Sequence, residues 1–418
     1  RTMTETIKQS HSKDTFLYCI SRMFERAAYY GIRAILVLYL IEGSIKMERS
    51  EALELYAIFT FAFLLSGILG AIIGDLLIGN KLSIIIGLLL QTLGAFSLCF
   101  TSINGVYLGL SLITLGGGLY SPNIISNFGK LYFHKLKLLD AGYIIFYLAV
   151  NLGSFFGVLL IGYLFDRFSS SAGFICSGIL MFVSIIPLLF LKEKRISNSI
   201  ATKRKTNQRV FTIAVAFLFI GFFWLFFNTS YIGYHHIEIE FRVNNTLGIS
   251  PSLWSTIDSI SYLPIALFAA ILWTYFYQSQ VFKLLIACIS GGISFAFLLL
   301  IPETQGKEHL ALFFISMIFL RISEVHIAPL AHSILAKYAN PKYLAILISL
   351  AFFPIQIFYL ISTFFNGHLY SVPTLSLLIG ISGMIILSIV LIWNKLIYNK
   401  LPTTTNKPKR QTFIRGSR

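Results

Sequence analysis

Residues 25–33 read Glu-Arg-Ala-Ala-Tyr-Tyr-Gly-Ile-Arg, and this charged stretch lies inside an apolar segment long enough to cross a bilayer. On a helix, Arg22, Arg26 and Arg33 fall on one polar stripe with the two tyrosines between them. A charge at membrane depth costs about 2.5 kcal/mol or more, so it persists mainly where it lines a pathway or a binding site. A stripe of cations and phenols that faces a cavity favours recognition of a carboxylate.

The composition of the whole chain indicates an all-α membrane protein. Hydrophobic residues make up 56% of the 418 residues, charged residues make up 12%, and the mean hydropathy is +0.78. Soluble domains usually carry about 25% charged residues. Hydropathy predicts twelve spans of about 20 residues, near 15–41, 55–75, 82–101, 105–129, 141–165, 173–191, 210–234, 252–276, 281–301, 310–336, 343–366 and 374–397.

The distribution of charge predicts the topology and argues against nucleic acid as a partner. The formal net charge is +16, but the basic residues collect in alternate loops between the spans, and positive loops stay in the cytoplasm. We therefore expect a multi-pass protein of the cytoplasmic membrane with both termini in the cytoplasm and the lipid bilayer as its surroundings. The basic loops include Lys81, the segments 130–137 and 192–209, Lys283, and the tail from Lys395 onward.

The longest basic loop, residues 192–209, divides the spans into two sets of six. We predict an N-terminal six-helix bundle over 1–191, a cytoplasmic linker over 192–209, a C-terminal bundle over 210–397 and a basic tail over 398–418. This layout matches the major facilitator fold, in which two bundles related by pseudo-two-fold symmetry rock around a midplane site. The loop after the second span supports it, because Gly70, Gly74, Asp75, Gly79 and Lys81 resemble the facilitator pattern, with Leu76 where a basic residue usually follows.

Four further stretches resemble the proton-dependent oligopeptide transporters, a family within the major facilitators. They occur in the family's order and in different predicted spans, so together they are more specific than any one of them. The stretches are Glu25-Arg-Ala-Ala-Tyr-Tyr-Gly-Ile-Arg33, Gly116-Gly-Gly-Leu-Tyr-Ser-Pro-Asn123, Phe146-Tyr-Leu-Ala-Val-Asn-Leu-Gly-Ser154 and Ser323-Glu-Val-His-Ile-Ala-Pro329.

This resemblance implies roles for individual residues in peptide binding. The matching positions are Arg26 and Arg33 for the peptide carboxyl end, Tyr29 and Tyr30 for the same pocket, Asn151 for the peptide backbone, Glu324 for the amino end, and Trp224 with Asn228 for the cavity wall, where the family usually has Gln in place of Asn. The physics agrees, since a peptide zwitterion needs a cationic pole and an anionic pole. A ligand that spans the two halves would also pull them together.

The resemblance implies that proton coupling depends on buried carboxylates. Glu25 lies three residues from Arg22, and Glu324 lies three residues after Arg321, so each carboxylate has an arginine on its own helix face. We expect these pairs to be switchable by protonation. Glu25 and Glu324 are the leading candidates for the proton carrier, with Arg22, Arg321 and the position of Ser121 in the same network.

The chain departs from the family pattern at two positions of this network. Arg22 stands where the family usually has a first glutamate, and Ser121 stands where it usually has a lysine. One interpretation is that Arg22 takes over the role of the missing lysine. A second is that the proton coupling is altered and the substrate is more anionic than a plain dipeptide. A third interpretation is that Arg22 only snorkels to the cytoplasmic surface.

The favoured function is therefore proton-driven symport of di- and tripeptides. The proton is the coupling ion, and we expect no cofactor and no metal. The alternatives are transport of another small anion or zwitterion with altered coupling, and a membrane sensor that binds peptide without transport. We predict that the chain is not an enzyme, because no serine–histidine, paired-aspartate or metal pattern lies at a compatible depth. We also expect a monomer.

Overall fold

A computed structural model of the chain describes residues 10–42, 45–191, 206–244, 248, 251–302, 306–351, 353, 356–358 and 372–400. This part of the chain contains twelve helices and no β-strand. The helices are α1 (Lys13–Glu42), α2 (Arg49–Ile78), α3 (Asn80–Ser97), α4 (Ile103–Lys130), α5 (Leu139–Arg167), α6 (Ser170–Leu189), α7 (Thr206–Val243), α8 (Pro251–Tyr275), α9 (Gln280–Leu299), α10 (Leu310–Tyr338), α11 (Pro341–Phe358) and α12 (Pro373–Lys400).

Ten of these helices are long and apolar enough to cross a membrane, as judged over the described residues. The helix α1 is not among the ten, because its arginines and Glu25 leave no 18-residue stretch with two or fewer charges. The helix α8 contributes a shorter apolar stretch, Ile260–Tyr275. Large apolar side chains such as Phe61 and Leu77 are exposed on the outer faces, as lipid contact requires. The prediction of an all-α membrane protein is confirmed.

Some boundaries of the helices differ from those predicted for the spans and the linker. The helix α7 begins at Thr206, inside the predicted linker over 192–209, and residues 192–205 lie outside the described part. The helix α7 also continues to Val243 instead of ending at 234. Its last turns carry Glu238 paired with His235 and with Arg242 at spacings of three and four residues, and such pairs extend a helix beyond its apolar core. The tail beyond Lys400 lies outside the description.

Small residues bring the helices of the first half close together. On α2, a side chain at Gly70 would clash with the backbone of α4 at Gly118, and glycines at such contacts let helix backbones approach. The following turn uses Gly79, whose φ of 86° suits a residue without Cβ. Asp75 accepts bonds from Asn80 (2.9 Å) and from the backbone N–H of Ile346 (3.0 Å). It therefore joins the end of α2 to the second turn of α11 in the second half.

Each half packs as a bundle, and the halves meet along a limited set of helices. In the first half α3 and α2 pack on α4, and α1 packs on α5; in the second half α9 packs on α10 and α12, and α7 packs on α12. Contacts between the halves join α5 to α8 and α10, and α4 to α10. This arrangement leaves α1, α5, α7 and α10 around the space between the bundles, where the charged side chains lie.

Candidate functional site

Arg22, Glu25 and Arg26 of the charged stripe on α1 form a compact buried triad. Glu25 has no exposed surface, and its two oxygens accept bonds from Nε and Nη2 of Arg26 at 2.7 and 2.6 Å. Arg22 approaches the same carboxylate more loosely, with Nη1 at 3.3 Å. The main partner of Glu25 is thus its neighbour in sequence. Helical spacing alone does not predict this contact, because adjacent residues point to different faces and only a long side chain can curl back.

Arg22 reaches across to α4. Its Nη1 donates to Ser121 Oγ at 3.0 Å, and its guanidinium lies 5.4 Å from the ring centre of Tyr120 and 5.8 Å from that of Phe146. Only 6% of the residue is exposed. The interpretation of Arg22 as a snorkelling surface residue is therefore wrong, because its head group lies between α4 and α5 within the bundle. The two positions that depart from the family pattern, Arg22 and Ser121, are in direct contact.

A cavity of about 370 Å³ opens in front of this triad. We call it the arginine cavity. Its wall comes from both halves and includes Arg22, Arg26, Tyr29, Tyr30, Arg33, Ser121, Phe146, Tyr147, His332 and Gln356. Arg33 donates Nε and Nη2 to the hydroxyl of Tyr56 at 2.9 and 2.7 Å, and Arg26 lies 4.4 Å above the ring of Tyr29. Among the described lining residues there is no carboxylate.

A second cavity of about 660 Å³ lies next to the first and shares Tyr30 and Tyr147 with it. We call it the glutamate cavity. The described residues of its wall that carry polar or aromatic groups are Tyr30, Tyr147, Asn151, Ser154, Phe155, Trp224, Thr256, Tyr262, Arg321 and Glu324. The predicted pair forms here, with Arg321 Nη1 at 2.5 Å from Glu324 Oε2. The carboxylate is 19% exposed, so the cavity reaches it.

Most of the predicted site residues therefore line one of two adjoining cavities, with three arginines on the first wall and the Arg321–Glu324 pair on the second. Glu25 and Asn228 are the exceptions, since neither lies on the wall of these two cavities. Glu25 is fully buried, and Asn228 is half-buried. Asn151 lines that cavity while its Nδ2 donates to the carbonyl of Tyr147 at 2.9 Å.

A link between the halves, which the sequence did not single out, crosses the boundary of the two cavities. The hydroxyl of Tyr147 on α5 lies 3.0 Å from Nδ1 of His332 on α10. His332 is 5% exposed. A histidine within an apolar span was the available signal, but its partner is 185 residues away in the sequence, and only the fold brings the two together.

A second link joins the halves at the end of the bundle that we predict to be cytoplasmic. Asp140 at the start of α5 accepts bonds from Lys283 Nζ at 2.5 Å, from Gln280 Nε2 at 3.0 Å and from the hydroxyl of Ser333. We call these four residues the ionic latch. Lys283, predicted to lie in a basic loop, instead lies in the first turn of α9, is 1% exposed and pairs with Asp140 of the other half.

His11, just before α1, adds a neutral link at the same end. Its Nδ1 lies 2.8 Å from the hydroxyl of Tyr132 in the first half, and its Nε2 lies 3.0 Å from Oγ1 of Thr274 in the second. Burial, together with the charge of Lys135, lowers the pKa of His11 below its usual value. The side chain is therefore held in its neutral form while it contacts both halves.

Comparisons with known proteins place this geometry in a family context. The family model described as Major Facilitator Superfamily matches residues 18–241. The chain is 29% identical to a di-/tripeptide transporter of Lactococcus lactis over 221 residues, covering 49% of this chain and 44% of the relative. It is also 29% identical to the peptide transporter YePEPT of Yersinia enterocolitica over 204 residues, covering 46% and 40%. The chain thus spans less than half the length of these curated relatives.

Solved structures agree over nearly the whole chain. A POT family transporter in complex with a thioalcohol-conjugated peptide superposes with a TM-score of 0.64 at 18% identity, covering 93% of this chain and 97% of the other. A POT family transporter in complex with 5-aminolevulinic acid gives a TM-score of 0.61 at 20% identity with the same coverage. At such identities the likeness shows the fold. Together with the relatives, it confirms the major facilitator architecture and the resemblance to the oligopeptide transporters.

Proposed function

Because this chain belongs to the major facilitator superfamily, we propose that it is a secondary transporter that moves small peptides across the membrane by alternating access. Membership of a superfamily of transporters agrees with the prediction that the chain is not an enzyme. One observation carries the proposal: two adjoining cavities share Tyr30 and Tyr147. The first has arginines of the first half on its wall, and the second has the carboxylate of Glu324, paired with Arg321, from the second half. A peptide zwitterion has the charges to bridge them.

We assign the carboxyl end of the peptide to Arg26 and Arg33, whose bonds to Glu25 and Tyr56 use Nε and Nη2 and leave the Nη1 edge for a ligand. A guanidinium edge is well suited to a carboxylate. The rings of Tyr29 and Tyr30 border this end. Contacts in the glutamate cavity are assigned to Asn151 and Trp224 for the body of the peptide and to Glu324 for its amino group.

We propose Glu324 as the proton carrier in preference to Glu25. Glu25 is fully buried and accepts hydrogen bonds from Nε and Nη2 of Arg26. Glu324 is 19% exposed at the cavity and has one short bond to Arg321. A proton arriving through the cavity therefore reaches Glu324 without opening the packed core. Protonation removes its charge and weakens the bond to Arg321, so the wall of the second half changes only when the proton is bound.

Alternating access in this proposal works by breaking and re-forming the links between the halves. Residues 1–191 and 206–397 are the two moving bundles, and both termini lie in the cytoplasm with the basic loops. The ionic latch and His11 close the cytoplasmic end in the conformation seen here. Release to the cytoplasm requires these bonds to open while contacts form at the other end. The functional unit is a monomer, since each chain supplies both halves of the site.

The test is uptake of labelled dialanine into proteoliposomes with and without an inward proton gradient. We expect uptake that rises with the gradient and is competed by unlabelled dipeptides. Glu324→Gln is expected to abolish gradient-driven uptake, whereas Glu308→Gln, whose side chain is 72% exposed outside the cavities, is the matched control that keeps it. Absence of both binding and uptake of dipeptides in folded protein would exclude the peptide assignment, and uptake in Glu324→Gln would exclude the proton carrier.

A further inference from the structure

We propose that the transporter prefers acidic peptides and that Arg22 holds the carboxylate of an acidic side chain. This inference rests on the proposed function and adds a substrate class to it. Its starting point is the contact between Arg22 and Ser121 at the wall of the arginine cavity. These two residues stand where the family pattern has a glutamate and a lysine, so one arginine remains in place of two charged groups of opposite sign.

The charges around Arg22 do not balance within the protein. Glu25 is shared by two guanidiniums and is held at both oxygens by Arg26 at 2.6 and 2.7 Å, whereas its single contact to Arg22 is 3.3 Å. The triad therefore keeps one net positive charge. Arg33 adds a second positive charge to the same cavity, where its Nε and Nη2 donate to the hydroxyl of Tyr56.

Among the residues that the structure describes, no other anion faces Arg22. From α4 it meets the ring of Tyr120 and the hydroxyl of Ser121, and from α5 it meets the ring of Phe146. Tyr147 and His332 complete this side of the cavity. The described residues of the cavity wall include no carboxylate. A cation held in these surroundings needs a counter-charge, because burying an uncompensated guanidinium is costly.

Arg22 also has an unfilled donor. Its Nε is buried and has no hydrogen-bond partner among the described atoms, although buried polar groups are nearly always bonded. The residue is 6% exposed and lies on the cavity wall. The orphan donor shows that the described groups of the protein pair this cavity-lining arginine incompletely. The fitting group is a carboxylate, which a guanidinium can take with two parallel bonds.

The geometry of α1 matches two carboxylates on one small peptide. Arg22 and Arg26 are four residues apart, which corresponds to a rise of about 6 Å, and the side-chain and terminal carboxylates of an acidic residue are separated by a similar span. A neutral dipeptide satisfies only the terminal position. An acidic dipeptide brings the second anion that the cavity lacks, while its amino group remains available for Glu324.

The test compares isosteric probes on purified wild-type protein in nanodiscs by calorimetric titration. We expect Ala-Glu or Glu-Ala to bind about tenfold tighter than its amide counterpart, Ala-Gln or Gln-Ala, as one charge-assisted pair implies. Arg22→Gln is expected to reduce this ratio to near one, and Arg167→Gln, an exposed arginine at the far end of α5, is expected to retain it.

The wild-type ratio decides the question even if the Arg22 variant does not fold. Equal binding of acid and amide in both residue orders would overturn the acidic preference while leaving the peptide-transporter proposal standing. A preference that persists in folded Arg22→Gln would overturn the role of Arg22. No binding of any of the four dipeptides would overturn both proposals, since the substrate would then not be a peptide.

Discussion

The ionic latch offers the sharpest test of how the two halves are held together. We predict that Asp140→Asn destabilises the conformation described here relative to one in which the cytoplasmic ends separate. Asp140 and Lys283 have side chains that are 5% and 2% exposed, with 2.5 Å between Nζ and the carboxylate. The substitution keeps the shape of Asp140 but leaves the ammonium group without a counter-charge.

The size of the effect follows from this burial. Breaking a buried ion pair by removing one partner costs about 3–5 kcal/mol. This cost applies only while the ends are closed, because separation exposes Lys283 to water. At about 1.4 kcal/mol for each factor of ten, the ratio of closed to open molecules should fall by about two to three and a half orders of magnitude.

The assay is a distance measurement between spin labels on exposed sites of the two halves. Cysteines at Lys137 and Gln278, in a background without the native cysteines, would carry the labels at the same end as the latch. We expect a longer distance population in Asp140→Asn. Asp166→Asn, the same change at an exposed site on the same helix, is the control and should leave the distance unchanged.

A double variant distinguishes the loss of the ionic latch from a general destabilisation of the fold. Lys283→Met added to Asp140→Asn removes both charges, which is often nearly neutral for a buried pair, and should restore much of the short-distance population. If Asp140→Asn leaves the wild-type distances intact, the latch does not hold the halves together and the reasoning from burial is refuted.

Three further predictions concern stability, measured by thermal unfolding of the purified protein. Gly157→Ala should cost about 1–3 kcal/mol, because the new Cβ would clash with the α1 backbone; Gly162→Ala, on the same helix with open space around it, should cost less than about 1 kcal/mol, and equal losses would contradict this packing. Glu25→Gln should cost about 3–5 kcal/mol by leaving Arg26 buried without its counter-charge; an unchanged unfolding temperature would show that water already compensates it. Since the pKa of His11 is lowered in the fold, its contribution to stability is fully present above about pH 6.5 and is lost as the pH falls below that. The stability difference between wild type and His11→Gln should therefore shrink from pH 7.5 to about pH 5, and a constant difference would rule out the neutral link.

Much of the site was accessible from the sequence because its residues lie on single helices. The arginines of α1 share one face by helical spacing, and the pair of Arg321 with Glu324 is three residues apart, so both were predicted and both are present. Helical spacing was not enough for Asn228, which is four residues from Trp224 but is not on the wall of the glutamate cavity. It was also not enough for Glu25, whose strongest partner is its sequence neighbour.

The class of all-α membrane protein follows from the sequence alone, because long apolar stretches are local properties that the bilayer selects. Which charges pair with each other depends on the folded structure. Asp140 meets Lys283 across 143 residues, and Arg22 meets Ser121 across 99. Such contacts depend on how helices pack and on which way long side chains turn, and neither is encoded in spacing along one helix. That packing also leaves Arg22 Nε without a hydrogen-bond partner among the described atoms.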